Sequence, residues 1–318
     1  MTNKTRKIIL LTVTLFFILL APIILLYAWG YSFDWQSKKP VLTGGIYLKS
    51  IPKKAEVYIN NEPQKEATPT FIERLLPKEY QIRVTKEGFH SWEKTLKVES
   101  KIVTEAKNIL LIPINLEIKT VNSELILELS EESINIFYIQ EPSYILYKTD
   151  KNNSFQEQIS LTPLSNNYKY EIFTSANEQI VVLDEKNQLY LLNQETKNFE
   201  LISQNVQGIQ FSYDNRKLLY FTPSEIWIYH LEGPGKIEDK KELITRVSQN
   251  IKQAIWYKTN EHIIFSIGEN IKIVELDNRS DRNIINLIKL KVEKMIYSQK
   301  DEKIYLIKGN ELFAITLE

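Results

Sequence analysis

The stretch Ser203–Phe211, which reads SQNVQGIQF, decides the fold because a second copy, SQNIKQAIW, occurs at Ser248–Trp256. The two copies stay aligned without gaps through the apolar runs that follow them. In this alignment, Leu218-Leu219-Tyr220 corresponds to Ile263-Ile264-Phe265. An internal repeat of short apolar runs separated by polar turns predicts an array of similar β units.

The same pattern occurs five times in the C-terminal part of the chain. Each copy has one aromatic residue at the same place in its first apolar run: Tyr138, Phe173, Phe211, Trp256 and Tyr297. A period of roughly 40 residues, with three or four strands per unit, is typical of β-propeller blades. The sequence therefore predicts a β-propeller over residues 114–318, with five blades. The alternative is a stack of β repeats that does not close.

Closure of the ring needs a strand from outside the last repeat. Short fourth strands are predicted at Leu201-Ile202 and Leu243-Ile244, but the last copy stops at Glu318 without one. The apolar run Leu125–Leu129 precedes the first copy and is expected to supply the missing strand, so that no sheet edge stays open. In its loose repeat, this region resembles the irregular propellers of the TolB-like or prolyl-peptidase type, in architecture only.

The N-terminal segment predicts one transmembrane helix. Residues 8–29 carry no charge, and at about 1.5 Å per residue they span roughly the 30 Å of a bilayer core. The basic residues lie before this run, so residues 1–7 are expected in the cytoplasm. The predicted membrane-interface residues are these basic residues and the aromatic rings at the other end: Lys4, Arg6, Lys7, Tyr27, Trp29, Tyr31, Phe33 and Trp35. A cleavable signal peptide is the alternative, but its apolar core would be shorter.

Behind a linker at residues 30–44, residues 45–113 read as short alternating strands. Apolar residues at every second position give each strand one buried and one wetted face, as a small antiparallel sandwich requires. The alternating positions are Ile46 and Leu48, then Ala55, Val57 and Ile59, then Tyr80, Ile82 and Val84, with Trp92, Leu96 and Val98 at the end.

This module resembles a PEGA domain, a small β module of many prokaryotic envelope proteins. The matching motifs, in order, are Ser50-Ile51-Pro52, Ala55–Asn60, Thr68-Pro69-Thr70, Leu76-Pro77, Tyr80–Val84 and Gly88-Phe89. Several family glycines are absent: Lys53-Lys54 stands at the Glu-Gly position, and Lys78 follows Pro77. Asn60 and Asn61 can adopt a left-handed turn. The resemblance implies surface adhesion or scaffolding and no catalytic residue.

The composition gives no sign of catalytic or cofactor chemistry. No cysteine is present, so disulfides and thiolate metal sites are excluded. His90, His230 and His262 have no metal-ligand spacing, and the chain has no phosphate-binding loop or nucleophile elbow. Basic and acidic residues balance at 40 each, which gives no reason to expect a nucleic acid partner. We expect no cofactor and no metal.

The predicted fold class is an all-β ectodomain, a PEGA-like β-sandwich plus a propeller, behind one N-terminal helix. We expect a non-enzymatic, membrane-anchored, extracytoplasmic binding or scaffolding protein. Its expected partners are the membrane and cell-wall polymer, a surface layer or envelope proteins. One alternative is a propeller glycosidase or lyase, which needs carboxylates in the funnel. The positions before the five aromatics hold no acid: Phe137, Ile172, Gln210, Ile255 and Ile296. A transmembrane sensor subunit is the other alternative.

Two further features of the repeats have competing interpretations. Trp227 and Tyr229 are candidates for sugar binding at a rim, although packing between blades is the favoured interpretation. The run Lys236–Lys241 contains acids as well as lysines and is expected to be a solvated loop between blades.

Overall fold

A computed structural model describes residues 3–122, 136–165 and 168–317, apart from residues 151, 153 and 234. The chain forms two compact units. The first comprises Met1–Asn115 with the short segment Asn278–Asp281, and the second comprises Leu116–Asp277 and Arg282–Leu317. The predicted all-β architecture behind one N-terminal helix is confirmed.

Helix α1 spans Asn3–Ala28 and exposes its apolar side chains along its length. By length and composition it can cross a membrane. Pro22 lies inside the helix, where a bilayer environment tolerates it. The chain turns away from the helix axis at Gly30, whose φ of +85° is a left-handed conformation that suits glycine, and whose amide donates to the Tyr27 carbonyl at 3.1 Å.

The segment expected as a linker contains a β-hairpin. Strand β1 (Tyr31–Asp34) pairs antiparallel with β2 (Lys39–Leu42), so that Tyr31 lies opposite Leu42. The turn between them places Lys38 at a φ of 52°. Helix α1 is therefore followed at once by regular structure.

The rest of the first unit is a sandwich of two sheets. Its strands are β3 (Gly44–Ile51), β4 (Glu56–Ile59), β5 (Glu62–Pro63), β6 (Thr70–Leu75), β7 (Glu79–Thr85), β8 (Trp92–Lys97) and β9 (Val103–Leu110). One sheet has the order β6-β3-β9 and the other β5-β4-β7-β8. The expectation of a purely antiparallel module is wrong in one place, because β3 and β9 pair in parallel. Strands β4 to β8 lie between β3 and β9 in the sequence and provide the crossover that a parallel pair needs.

The core of the sandwich consists of the residues that alternate in the sequence. Every apolar position predicted to face inward is buried, from Ile46 and Leu48 in β3 to Val98 after β8. The turns also follow the sequence. Asn60 and Asn61 have φ values of 48° and 66°, and Lys54, at the glycine position of the family motif, has a φ of 61°.

The second unit consists of five sheets, here called blades 1 to 5 in chain order. Its strands are β10 (Ile118–Val121), β11 (Phe137–Gln140), β12 (Ile145–Thr149), β13 (Gln156–Gln158), β14 (Tyr170–Thr174), β15 (Ile180–Asp184), β16 (Leu189–Leu192), β17 (Phe199–Ser203), β18 (Gly208–Phe211), β19 (Lys217–Phe221), β20 (Glu225–His230), β21 (Lys241–Arg246), β22 (Ile251–Trp256), β23 (His262–Ile267), β24 (Asn270–Glu275), β25 (Ile284–Lys289), β26 (Lys294–Ser298), β27 (Lys303–Lys308) and β28 (Glu311–Ile315). The five repeat aromatics lie in the first strands of the five blades.

Blades 2, 3 and 4 are four-stranded antiparallel meanders, and blade 1 has three described strands. Blade 5 has the order β10-β28-β27-β26, so its outermost strand comes from the start of the unit. In this pair Ile118 lies opposite Ile315. The strand Ile118–Val121 therefore links the start of the unit to its last blade. The apolar run Leu125–Leu129, expected in this role, lies outside the described residues.

Neighbouring blades are joined by the turn after each first strand. One residue of each of these turns is left-handed, with φ between 53° and 58° in blades 2 to 5: Glu178, Asn215, Asn260 and Glu302. The side chain of each one binds the preceding blade. Asn260 Oδ1 accepts the Tyr213 N–H at 2.9 Å, and Asn215 Oδ1 accepts the Ala176 N–H at 3.1 Å. The other two accept from lysines: Glu178 from Lys148 and Glu302 from Lys258.

Candidate membrane interface and propeller cavity

The predicted interface residues lie at the two ends of helix α1. Lys4, Arg6 and Lys7 are exposed on its first two turns. At the other end Trp29 is 67% exposed and Trp35 is 82% exposed. Exposed indole rings are stabilised at the headgroup level of a bilayer, which is where this end of a spanning helix would lie. The assignment of these residues to a membrane interface remains a prediction.

The β1–β2 hairpin brings Phe33 and Trp35 together. Their rings meet edge to face, with centroids 4.8 Å apart. Asp34 orders the turn, because its Oδ1 accepts the Gln36 N–H at 3.0 Å and its Oδ2 accepts the Ser37 hydroxyl at 2.7 Å. These hydrogen bonds, that of Ser37 first, lower the pKa of the Asp34 carboxyl, which is therefore ionised at neutral pH.

Tyr27 contacts a residue that the sequence did not indicate. The guanidinium of Arg74, in β6, lies over the Tyr27 ring with Cζ 3.6 Å from its centroid. Arg74 also donates from NH1 to the Tyr27 carbonyl oxygen at 3.2 Å. A cation at the last carbonyls of a helix is favourable because the helix dipole is negative there. Arg74 thus fixes the helix end to the β-sandwich.

A second set of hydrogen bonds joins the same helix end to Thr43, the residue before strand β3. Thr43 donates to the Gly30 carbonyl oxygen from its backbone N–H at 3.0 Å and from Oγ1 at 2.8 Å. Tyr31, by contrast with the other aromatics, is half-buried in the hairpin. Residues 27–43, here called the helix exit, therefore combine exposed aromatic rings with hydrogen bonds that connect the helix end to the sandwich.

The propeller contains a cavity of about 730 Å³ between blades 2 and 3. Most of its polar lining comes from turns and outer strands, and includes Gln179, Asn193, Glu200, Tyr229, Lys236 and Glu238. Asn193 Nδ2 donates to Glu200 Oε1 at 2.8 Å and so orients that carboxylate. Burial, and then the charge of Glu200, raise the pKa of Tyr229, which stays protonated at neutral pH. Cavities of this size accommodate small ligands or single polymer units.

The run Lys236–Lys241 forms part of this cavity. Residues Ile237–Lys240 form a 3₁₀ helix between β20 and β21. The segment is solvated as expected, since Lys236, Glu238 and Asp239 are exposed. The expectation that it joins two blades is wrong, because it connects β20 and β21 of one blade. Trp227 and Tyr229 do pack, as favoured. Trp227 stacks on Tyr220 with ring centroids 6.4 Å apart, and Tyr229 is buried between blades 2 and 3.

The three histidines do not converge within the described residues. His230 Nε2 lies 3.0 Å from Glu242 Oε2 in blade 3, and His262 is buried in blade 4. His90 lies in the β-sandwich unit. In the part of the chain that the structure describes, no group of three metal-ligating side chains is close enough to hold an ion.

Comparisons with known proteins give one family match and several similar solved structures. No curated protein matches this chain significantly. Among solved structures, it is similar to the extracellular domain of a protein described as a hybrid two-component system of B. thetaiotaomicron, with 9% identity and a TM-score of 0.39 over 91% of this chain. This chain spans only 31% of the length of that domain.

Two propellers are also similar. The Dos1 propeller has 11% identity and a TM-score of 0.42, with 90% of this chain and 81% of that chain covered. The propeller domain of Cps50 (Swd1) from Myceliophteria thermophila has 10% identity and a TM-score of 0.41, with 75% and 79% covered. One family model matches the β-sandwich unit: residues 43–110 of this chain match the PEGA domain.

Proposed function

We propose that this chain is a membrane-anchored, extracytoplasmic binding or scaffolding protein without catalytic activity. The observation that carries the proposal is the helix exit. An apolar helix of 26 residues with exposed side chains ends in a ring of exposed aromatics. Arg74 and Thr43 tie that end directly to the PEGA-like sandwich. The basic residues at its start favour a cytoplasmic N-terminus, so the two β units lie on the other side of the membrane.

The test of anchoring is fractionation of cells that express the full chain. We expect the intact chain in the membrane fraction after alkaline carbonate extraction, with the β units cleaved by protease added from the extracytoplasmic side. Mass measurement of the membrane form separates an anchor from a cleaved signal peptide, because the anchor retains residues 1–29. Recovery of the intact chain in the cytosol would overturn the proposal.

A matched pair of variants sharpens this test. Ile18→Arg places a charge at the middle of α1, where insertion costs about 2.5–3.5 kcal/mol. Ile18→Leu leaves the helix apolar. We expect the arginine variant to lose membrane retention and the leucine variant to keep it.

We further propose that the cavity between blades 2 and 3 binds the partner. Its amide, carboxylate and ammonium groups suit a ligand rich in hydroxyl and amide groups, as cell-wall polymers are. The experiment is co-sedimentation of the full chain in detergent with purified cell-wall polymer. We expect Glu200→Gln with Lys236→Ala to reduce the bound fraction, while Glu311→Gln in blade 5 leaves it unchanged. Equal binding by all three proteins would exclude the cavity.

A transmembrane sensor subunit is a second candidate, favoured by the direct link between helix and sandwich. In this arrangement α1 would pass a signal to a partner helix in the membrane. Purification in mild detergent tests this idea. A sensor subunit retains a second membrane protein, and Arg74→Ala weakens the response without releasing that partner.

A further inference from the structure

Two adjacent apolar side chains are exposed where strand β9 begins. Ile102 is 52% exposed and Val103 is 43% exposed. They follow the turn after β8, in which Lys101 is left-handed with a φ of 64°. Single exposed apolar residues are common on protein surfaces, but contiguous ones mark interaction sites. Ala106, farther along the same strand, is buried in the core of the sandwich, and that core does not include Ile102 or Val103.

Phe71 extends this apolar surface across the sheet. In the register of β3, Tyr47 pairs with Phe71 and Gly45 pairs with Val103, which places these side chains on one face. The Phe71 ring, 44% exposed, lies over Gly45, because a Cβ there would approach it to 2.7 Å. Glycine at position 45 therefore lets the ring lie flat against the sheet next to Val103.

Hydrogen bonds connect this surface to the helix exit. The Thr43 N–H binds the Gly30 carbonyl oxygen, and the Lys101 N–H binds the Thr43 carbonyl oxygen at 2.9 Å. The Gly45 N–H then binds the Ile102 carbonyl oxygen at 3.1 Å. These hydrogen bonds hold Ile102 close to Gly30, where the chain leaves the predicted bilayer.

The charged residues around this surface include two ion pairs. Glu99 is paired with Lys97 at 3.0 Å and Glu105 with Lys107 at 2.5 Å. Among the residues that the structure describes, no carboxylate lies within ion-pair distance of Lys101. Its ammonium group is therefore available for an external anion, and the phosphate of an anionic lipid headgroup at the level of the helix exit would be such an anion.

We propose that Ile102, Val103 and Phe71, with Lys101 beside them, form a second contact with the bilayer that α1 crosses, at the boundary of headgroups and acyl chains. The inference rests on the proposed anchoring. The occupant is an anionic lipid surface, because the apolar residues continue from the helix exit and carry an unpaired lysine. With this contact the protein is held to the membrane at two places, helix α1 and the start of strand β9. The second contact holds the PEGA-like sandwich against the membrane.

The test uses the full chain, which has no cysteine to remove. A single cysteine is introduced by I102C, and an environment-sensitive fluorophore is attached to it. The anchor reference is W29C. The matched control is K53C, an exposed site at the opposite end of β3, about 23 Å away for a strand of this length. Each protein is reconstituted into phosphatidylcholine–phosphatidylglycerol vesicles with and without nitroxide-labelled lipid.

We expect nitroxide lipid to quench the probes at positions 29 and 102 but not the probe at 53. Omitting phosphatidylglycerol, or adding K101E, should reduce quenching at 102 and leave position 29 unchanged. Quenching at 29 without quenching at 102 overturns the second contact and leaves the anchor standing. No quenching at 29 overturns the anchor itself. A probe at 102 shielded from both nitroxide lipid and aqueous iodide indicates a protein partner or second copy, and also overturns the inference. Unchanged far-ultraviolet circular dichroism shows that the variants are folded.

Discussion

Arg74 holds the end of helix α1 through two contacts with a single residue, Tyr27. Its guanidinium lies over the ring at 3.6 Å and donates to the backbone carbonyl oxygen at 3.2 Å. A flexible tether would let the β-sandwich tumble freely at the end of the helix. Because Arg74 is in β6, in the body of the sandwich, this contact makes the orientation of the sandwich depend on the helix.

Replacing Arg74 by alanine should loosen the helix exit without unfolding the sandwich. An exposed cation–π contact is worth about 0.5–1 kcal/mol, which corresponds to a change of about two- to fivefold in a local equilibrium. We expect amide hydrogen exchange at Thr43, whose N–H binds Gly30, to accelerate by this factor. Lys54→Ala is the control, because Lys54 is also exposed and left-handed, with the same φ of 61°. Equal exchange in both variants would show that Arg74 does not hold the helix.

Asn260 should stabilise the junction of blades 3 and 4 by its side-chain acceptor and by its left-handed backbone. Asn260→Gly keeps the left-handed conformation but removes the acceptor of the Tyr213 N–H, which should lower the free energy of unfolding by about 1 kcal/mol. Asn260→Ala removes the same acceptor and also forces alanine into the left-handed conformation, which costs about 1–2 kcal/mol more. Urea unfolding should therefore rank the alanine variant below the glycine variant. Asn205→Gly, at another left-handed position, on the surface, should be close to neutral.

Arg282 should be among the most important polar side chains of the propeller. It donates to Glu242 Oε1 at 2.5 Å and to the carbonyl oxygens of Leu243 and Leu276 at 3.1 and 3.2 Å. Its side chain is 16% exposed, so Arg282→Met deprives poorly hydrated acceptors of their donor, and we expect a loss of about 2–3 kcal/mol in unfolding free energy.

The matched control for Arg282 is another arginine–glutamate pair. Arg246 and Glu225 are 2.6 Å apart, but the Arg246 side chain is 68% exposed. Arg246→Met should cost less than about 1 kcal/mol. If the two arginine variants lose the same stability, burial does not govern these pairs.

His262 should make the propeller less stable in mild acid. Burial lowers its pKa to about 4 from the ordinary 6.5, so between these values the unfolded chain binds more protons than the folded one. The free energy of unfolding should fall as the pH falls through this window, by up to about 3 kcal/mol in total, and should be unaffected by His262 above pH 6.5. The His262→Gln variant should lack this pH dependence of the unfolding free energy, and the His90→Gln variant should keep it. Trp256, buried in the same blade, reports unfolding by fluorescence.

The strands of both units follow from local pattern, and the sequence predicted them because burial repeats at every second residue. Ile46, Leu48, Val57 and Ile82 all face the core as their alternation requires. The closing strand did not follow in the same way. Ile118-Lys119-Thr120-Val121 is an outer strand with exposed polar residues, and its partner β28 lies at the far end of the chain. The more apolar run 125–129 was therefore the stronger local signal.

The candidate interface was predictable only for the residues next to the helix. Arg74, Ile102 and Val103 reach the same place through the pairing of β6 and β9 with β3, which no local pattern reveals. One signal was present in the sequence. Ile102-Val103 begins directly after the polar turn Glu99-Ser100-Lys101, where two apolar neighbours do not fit the alternation of a half-buried strand.

The closing pair of the propeller has a consequence for biogenesis. Strand β10 is synthesised first, but its partner β28 begins about 190 residues later, at Glu311. At roughly 5–20 residues per second, a ribosome needs on the order of ten to forty seconds to supply that partner. Throughout this interval β10 has no neighbour, and blade 5 does not exist. A chaperone would therefore find its substrate in the incomplete propeller, and variants truncated near the C-terminus should be degraded rather than accumulate as shorter propellers.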